Sequence, residues 1–358
     1  GLDPVEFRLR NVATEGTRRA DGVVNGRIGA QEIMEAMESH PHYKAPVGQK
    51  NRGRGVGMGF CRNNTGLSCA VANVNSNGTV SLVEGSVDLS GSRVVVAQQL
   101  AETLGLSVED VNPHVGDTDT IGFTSGSGGS GVAFKTGWAV YEAANDVIRQ
   151  MVQRAATVWD APEEQIEYVD GAVQHKADTE LRLTFKEIAE TMAETGGPIV
   201  GKANLNPPGA SGSYTANIAE IEVDPETGKV DIIRYTAFQD VGTAIHPAYV
   251  EGQLQGGTSQ GIGWALNEEY YMSEDGQMLN PTFLDYRIPT ILDLPMIEPV
   301  IVEVPNPGHP FGVRGVGEAS IPTPLAALAN AIYRATGVRM YELPMTPAAI
   351  VKAMKKKD

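Results

Sequence analysis

One carboxylate of this chain stands where a general base would be placed. Glu318 lies in the segment GVGEAS, next to Gly317 and close to Gly315. Glycines allow a bulky ligand to approach the main chain, and Thr323 and Pro324 are predicted to be the N-cap and first residue of a helix. A glutamate held in such a loop suits proton abstraction from a bound group. The alternative interpretation is an ordinary surface glutamate in front of a core helix.

A carboxamide is a second candidate for chemistry. Gln253 lies in VEGQLQGG, at the predicted start of a helix. Free backbone donors at a helix start and a side-chain amide can together hold a polar ligand. A capping or core role for this amide is the alternative.

The third candidate is a segment of small residues, GSGGSG at positions 126–131, which contains Gly128, Gly129 and Ser130. Consecutive exposed N–H groups in such a segment can form a nest around an anion or around polar oxygens. A flexible loop is the alternative. None of the six histidines has the spacing of a zinc site, so we predict no metal site made by side chains of this chain.

Composition excludes several classes of function. A net charge of −16 over 358 residues argues against binding to nucleic acid or to an anionic membrane. No apolar run approaches the roughly 20 residues of a membrane span, and no signal peptide is visible. The only two cysteines, Cys61 and Cys69, are too few to ligate an iron–sulfur cluster. We therefore expect a cytoplasmic protein with reduced thiols.

The elements that must position these residues follow from local patterns. Residues 1–52 are predicted to be a polar connecting arm with a helix at residues 30–39. Strands then alternate with turn signals at residues 63–66 and at Asn77-Gly78, which predicts hairpins. Helices are predicted at residues 94–104 and 138–157, and the capping-box pair Thr184 and Glu187 begins another that ends near residue 195.

A segment rich in glycine and proline at residues 198–213 predicts a boundary, after which the pattern begins again. Strands at residues 219–224 and 230–240 precede a helix at residues 251–266, further strands, the Glu318 loop and its helix. We therefore predict an α+β fold of two subdomains, residues 53–197 and 198–358, each a hairpin followed by a helix.

Several motifs in this order resemble one known family. They are GLDPVEFRLRN at the start, AVYEAANDV at residues 139–147, the long segment from Asp240 to Glu269, the GVGE loop and LPMTP. Together they resemble the C-terminal half of the molybdenum-binding subunit of the xanthine dehydrogenase and aldehyde oxidoreductase family. The resemblance implies a molybdenum cofactor-binding fold.

The resemblance also implies roles for residues. Glu318 matches the catalytic base, with Gly317 beside it in the same loop, and Gln253 matches a glutamine that contacts the cofactor near its metal. The segment with Gly128, Gly129 and Ser130 would run under the metal and its pterin. Ser90-Gly91 replaces a family Gln-Gly. Because a serine is too short to reach the same atoms, the backbone or Arg93 would contact the ligand instead.

The implied enzyme hydroxylates an N-heterocycle or an aldehyde with water as the oxygen source. Its cofactor would be molybdopterin with molybdenum, in the cytosine dinucleotide form, and electrons would pass to iron–sulfur and FAD subunits. A further chain would carry the first half of the molybdenum-binding domain, without which we expect no activity, and the arm would lie along that chain. Two alternatives stay open: a non-catalytic cofactor-holding subunit, or a relative that acts on carbon monoxide or reduces thioesters.

Overall fold

The computed structural model of this protein describes residues 1–209 and 212–356. The helices in this part of the chain are α1 (Pro4–Leu9), α2 (Ala30–Ser39), α3 (Pro41–Lys44), α4 (Ser92–Leu104), α5 (Val132–Trp159), α6 (Phe185–Glu190), α7 (Met192–Thr195), α8 (Pro247–Leu266), α9 (Thr323–Thr336) and α10 (Pro347–Lys355). The strands are β1 (Arg52–Arg62), β2 (Ser68–Val74), β3 (Val80–Glu84), β4 (Val111–Val115), β5 (Ile166–Val169), β6 (Ala172–His175), β7 (Arg182–Thr184), β8 (Val200–Leu205), β9 (Gly212–Val223), β10 (Val230–Asp240) and β11 (Ile297–Val302). None of these described helices is long and apolar enough to cross a membrane.

The chain forms two compact units, each with its own hydrophobic core. The described residues of unit 1 are 1–62, 212–306 and 316–356, and those of unit 2 are 63–209 and 307–315. The chain therefore passes from one unit to the other more than once, and each unit is built from segments that are distant in sequence.

Unit 1 is built on a four-stranded sheet in the order β1-β9-β10-β11. The first three strands are antiparallel neighbours, and β11 runs parallel to β10. Successive strand residues point to opposite faces, and the two faces have separate cores. Ile221 and Ala237 pack with helices α8 and α9, whereas Ile218 and Phe238 pack with the N-terminal arm.

The N-terminal arm is part of the core of unit 1. Val5 of α1 and Ile33, Met34 and Met37 of α2 are completely buried and belong to the cluster on the sheet. Asp240 fixes the start of α2, since its Oδ2 accepts a hydrogen bond of 2.8 Å from the N–H of Gly29. The apolar face of the arm is thus used within its own unit, and the expectation that the arm lies along another chain stays a prediction.

Glycines in β1 allow α9 to lie directly on the strand backbone. Glycine recurs at every second position, at Gly53, Gly55, Gly57 and Gly59, so that all four face the same side of the sheet. A Cβ at Gly57 would lie only 2.7 Å from the carbonyl oxygen of Thr323, the first residue of α9. This close approach fixes the helix that follows the Glu318 loop.

Unit 2 has a second four-stranded sheet in the order β4-β3-β2-β8 and a small antiparallel sheet of β5, β6 and β7. Helices α4 and α5 pack on the larger sheet through a core that includes Leu82, Leu100, Val140 and Val147. The hairpin predicted at Asn77-Gly78 is confirmed, because β2 and β3 are antiparallel neighbours.

The fold class is α+β, as predicted, and each unit contains a hairpin and a long helix. The hairpin predicted across residues 63–66 is wrong: β1 pairs with β9, whereas β2 pairs with β3 and β8. Helix α5 also begins six residues earlier than predicted, because apolar residues extend its buried face to Val132. The boundaries at residues 52 and 197 stay a prediction, and Ala210 and Ser211 of the predicted boundary segment lie outside the described residues.

Candidate functional site

The Glu318 loop of unit 1 is anchored at both ends by buried side chains. At its start, Nε2 of Gln239 on β10 donates a hydrogen bond of 3.0 Å to the carbonyl oxygen of Val316. At its end, the hydroxyl of Thr323 bonds to the hydroxyl of Thr215 on β9. Gln239 and Thr215 are completely buried, so the sheet holds the loop in one place.

Helix α8 supports the same loop along its length. A Cβ at Gly257 would lie 3.0 Å from the carbonyl oxygen of Gly317 and closer still to the Ser320 hydroxyl. One turn later, a Cβ at Gly261 would meet the carbonyl oxygen of Ile321. Because only glycine leaves this space, the helix backbone lies directly against the loop.

Glu318 itself is exposed. Burial raises the pKa of the Cys61 thiol, and the negative charge of Glu318 raises this pKa further. The carboxylate therefore lies near the end of β1, which contains Cys61. An exposed carboxylate on an anchored loop is accessible to a bound molecule while its position stays defined. Both cysteines are free thiols, as predicted.

Two local predictions about these residues are wrong. Helix α8 begins at Pro247, so that Gln253 is its seventh residue and lies beyond the first turn, where free backbone donors are found. Only its half-buried side chain is available for a ligand. Thr323 is not the N-cap of α9, which is Pro322 without a side-chain hydrogen bond. Its hydroxyl bonds to Thr215 instead.

The other predicted residues lie in unit 2, in two loops that each precede a helix. Ser90 and Gly91 precede α4 with φ values of 53° and 84°, and Gly129 and Ser130 precede α5 with φ values of 70° and 54°. The start of α4 is satisfied within the chain, because the N–H of Arg93 donates a hydrogen bond of 3.1 Å to the carboxylate of Asp88 and the N–H of Ser92 donates one of 3.2 Å to the carbonyl oxygen of Leu89. The start of α5 has no side-chain cap from Gly131, so its first N–H groups can face water or a ligand.

The loop at residues 126–131 has one packed side and one open side. A Cβ at Gly129 or Gly131 would collide with Asn64, whose backbone N–H donates a hydrogen bond of 2.8 Å to the carbonyl oxygen of Gly129. At Gly126 and Gly128 a Cβ would meet nothing within 4 Å. The main chain at Gly126 and Gly128 is therefore open to approach from that side.

A buried cation that no sequence motif indicated holds this loop. Nζ of Lys135 donates hydrogen bonds of 2.7 Å and 2.6 Å to the carbonyl oxygens of Ser125 and Gly126, and one of 2.8 Å to the Ser125 hydroxyl. Lys135 is completely buried, and burial lowers its pKa. The available signal was helical spacing, which places Lys135 on the same face of α5 as Ala139.

A chain of buried polar groups joins the end of β3 to helix α5. The Thr136 hydroxyl on α5 bonds to the Ser68 hydroxyl at 3.0 Å and to the Ser86 hydroxyl. The N–H of Ser86 donates in turn to the carboxylate of Glu84 at the end of β3. Burial raises the pKa of Glu84 to about 7. This network ties the segment that leads to Ser90 to Thr136, the fifth residue of α5.

The structure thus places Glu318, Gly317 and Gln253 in unit 1, and the Ser90 and Gly129 loops in unit 2. The unit 2 loop at residues 126–131 fits an anionic, heteroatom-rich group, since it offers open main chain at Gly126 and Gly128, precedes the uncapped start of α5 and has a buried ammonium group nearby. Among the described residues, no group of three or more His, Cys, Asp or Glu side chains is arranged to hold a metal ion. A metal at this site would have to be brought by such a group.

Comparison with known proteins agrees with the family resemblance of the sequence motifs. The molybdopterin cofactor-binding domain family matches residues 33–295. The xanthine dehydrogenase molybdenum-binding subunit of Escherichia coli O157:H7 is 31% identical over 373 residues, which cover 97% of this chain and 49% of that protein. The nicotine 6-hydroxylase large subunit of Paenarthrobacter nicotinovorans is 29% identical over 390 residues, which cover 99% of this chain and 48% of that protein.

Among solved structures, quinoline 2-oxidoreductase from Pseudomonas putida 86 matches with a TM-score of 0.90 and 25% identity, covering 99% of this chain and 50% of that one. The aldehyde oxidoreductase of Desulfovibrio desulfuricans ATCC 27774 matches with a TM-score of 0.78 and 26% identity, covering 99% and 38%. The chain spans about half the length of the curated relatives that it matches. It belongs to the molybdopterin cofactor-binding family of xanthine dehydrogenase and aldehyde oxidoreductase.

Proposed function

We propose that this chain is the cofactor-binding part of a molybdenum hydroxylase that hydroxylates an N-heterocycle or an aldehyde with oxygen from water, and that Glu318 is its general base. The observation that carries this proposal is the exposed carboxylate of Glu318 on a loop anchored by Gln239, Thr215 and helix α8. A general base needs both access to the proton and a fixed position. Membership in the molybdopterin family supplies the chemical context.

The cofactor would be molybdopterin with molybdenum, and when bound it supplies the redox chemistry. The main chain of Gly128, Gly129 and Ser130 would cradle its polar atoms, and the Gln253 carboxamide would orient it by hydrogen bonding. The uncapped start of α5 suits a phosphate group of this cofactor, and the cytosine dinucleotide form is proposed from the family resemblance. The Ser90-Gly91 backbone would act where the family has a longer glutamine side chain.

The substrate, the partner chains and the location belong to the same proposal. An N-heterocyclic substrate is supported by two relatives, whose names say that they act on nicotine and quinoline. Because two cysteines cannot hold an iron–sulfur cluster, iron–sulfur and FAD groups would be carried by partner chains. A cytoplasmic location suits the two free thiols.

The test is Glu318→Gln in the assembled enzyme. Turnover with quinoline, nicotine and an aromatic aldehyde is measured beside the molybdenum content of the same preparation. We expect unchanged molybdenum and a turnover lower by about 10²–10⁴-fold, the contribution typical of a general base. Glu342→Gln, which changes another exposed glutamate of unit 1, is the matched control. Near-normal turnover in Glu318→Gln would exclude this residue as the base.

The isolated chain provides a second test. It spans only about half the length of its relatives, so we expect it to bind little or no molybdenum, whereas the assembled complex should hold about one atom for each copy of this chain. An assembled complex without molybdenum would favour the non-catalytic alternative.

A further inference from the structure

Residues 270–296 of unit 1, which we call the apolar segment, connect α8 to β11 and expose an unusual number of large hydrophobic side chains. The most exposed are Phe283 at 96%, Leu292 at 93%, Ile291 at 91%, Leu284 at 89% and Met296 at 85%. Tyr270, Tyr271, Met272, Leu279 and Ile288 are each more than half exposed. A concentration of exposed apolar side chains within one segment marks an interaction surface.

The apolar segment is held by hydrogen bonds among its own polar groups and to Glu268 and Glu269, which directly precede it. The Asn280 side chain accepts a hydrogen bond of 3.0 Å from the N–H of Tyr271 and donates one of 2.7 Å to the carbonyl oxygen of Glu269. The Tyr286 hydroxyl donates to the carboxylate of Glu268 at 2.8 Å, and Asp293 accepts from the N–H of Thr290 at 2.7 Å. The polar groups are thus satisfied locally, while the apolar side chains are left facing solvent.

Charge indicates which kind of partner covers this surface. The apolar segment carries four acidic residues, Glu274, Asp275, Asp285 and Asp293, against one basic residue, Arg287. The whole chain has a net charge of −16. Two copies facing each other through this surface would bring like charges together, which disfavours association. The complementary partner has an apolar centre with a basic rim.

We propose that the apolar segment is the docking surface for the part of the molybdenum-binding subunit that the relatives contain and this chain does not match. The relatives are about twice as long as the matched region, so an equally long remainder is available as the partner. A stable interface covers about 800 Å² on each partner, and the ten exposed hydrophobic side chains provide an apolar centre for it. The proposal rests on the proposed function, because it takes its partner from the same subunit.

The experiment measures the affinity of the full chain for a polypeptide that carries the remainder of its molybdenum-binding subunit. Two double variants, Phe283→Ser with Leu284→Ser and Ile291→Ser with Leu292→Ser, are compared with the wild type. Tyr341→Ser is the control, since Tyr341 is 90% exposed and lies outside the segment. Because all five side chains face solvent, the variants should unfold at the same temperature as the wild type. We expect each double variant to raise Kd about 30-fold or more, as loss of a binding hot spot does, and the control to leave Kd unchanged.

Other results of this binding experiment would overturn the docking surface or would separate it from the proposed function. Double variants that bind as tightly as the wild type would overturn the proposal, as would a wild-type chain that forms no complex with the remainder. A wild-type chain that dimerises on its own, with monomeric double variants, would show that a second copy is the occupant and would also overturn it. A complex that depends on the apolar segment but contains no molybdenum would support the docking surface and refute the proposed function.

Discussion

The close packing of α8 against the Glu318 loop leads to a quantitative prediction for Gly261→Ala. A Cβ at this position would lie 2.8 Å from Cγ of Pro324, 3.0 Å from its Cδ, and closer still to the carbonyl oxygen of Ile321. These atoms belong to the backbone and to a rigid ring, so the segment after Glu318 must move away from the helix. Overpacking of this kind costs about 1–3 kcal/mol, whereas alanine in a helix gains about 0.5–1 kcal/mol over glycine.

We therefore expect Gly261→Ala to lower the free energy of unfolding of the isolated chain by about 1–2 kcal/mol, measured by urea denaturation. Gly256→Ala is the matched control in the same helix, because a Cβ there meets nothing within 4 Å and should raise this free energy by about 0.5–1 kcal/mol. In the assembled enzyme, turnover should fall by about 10²-fold if Glu318 is displaced by about 1 Å, with the molybdenum content unchanged. Equal stability of the two variants would refute the packing argument.

Three further predictions concern buried groups. Lys135→Met removes the hydrogen bonds to Ser125 and Gly126, so that amide exchange at residues 126–130 should become roughly 10–100-fold faster, as expected from a loss of about 1.5–3 kcal/mol; unchanged exchange would contradict the role of the ammonium group. Burial raises the pKa of Glu84 from its ordinary value of 4.5 to about 7, so its stabilising contribution is complete below pH 4.5 and is lost as the pH rises through 7. In Glu84→Gln, thermal stability between pH 4.5 and 8 should therefore fall less with pH than in the wild type, and parallel curves would exclude this carboxyl as the cause. Met34→Ala, in the buried face of the arm, should cost about 2–5 kcal/mol in urea denaturation, whereas an effect as small as that of the exposed Glu35→Ala would show that the arm is not part of the core.

Short-range elements were readable from the sequence because their determinants lie within a few residues. Helix α2 has the predicted bounds, the Thr184 and Glu187 capping box forms as predicted, and Gly105 ends α4 in the left-handed conformation. The turn at residues 225–228 joins β9 and β10 into an antiparallel hairpin. Caps and tight turns depend on hydrogen bonds and φ values within a few residues, and residue types such as threonine and glycine indicate these directly.

The sequence also identified candidate site residues, through the family motifs that surround Glu318, Gln253 and the 126–131 segment. Their chemical roles stay predictions. The sequence did not reveal which side chains hold these residues in place. Gln239 and Thr215 contact residues that are distant in sequence, and Lys135 is a buried cation on an otherwise apolar helix face.

Which strands pair with each other, and which strand a helix packs against, was determined by the tertiary structure alone. Strand β1 forms no hairpin with β2: it carries α9 on its glycine face and pairs with β9, about 160 residues later, whereas β2 pairs with β3 and β8 in another sheet. Thr323 has the side chain of an N-cap, but its hydroxyl bonds to Thr215 instead. A local pattern specifies which conformations a segment favours, whereas the choice of partner depends on burial and hydrogen bonding across the whole unit. The residues of the site were therefore present in the sequence, and the geometry that holds Glu318 in place arose only from the folded chain.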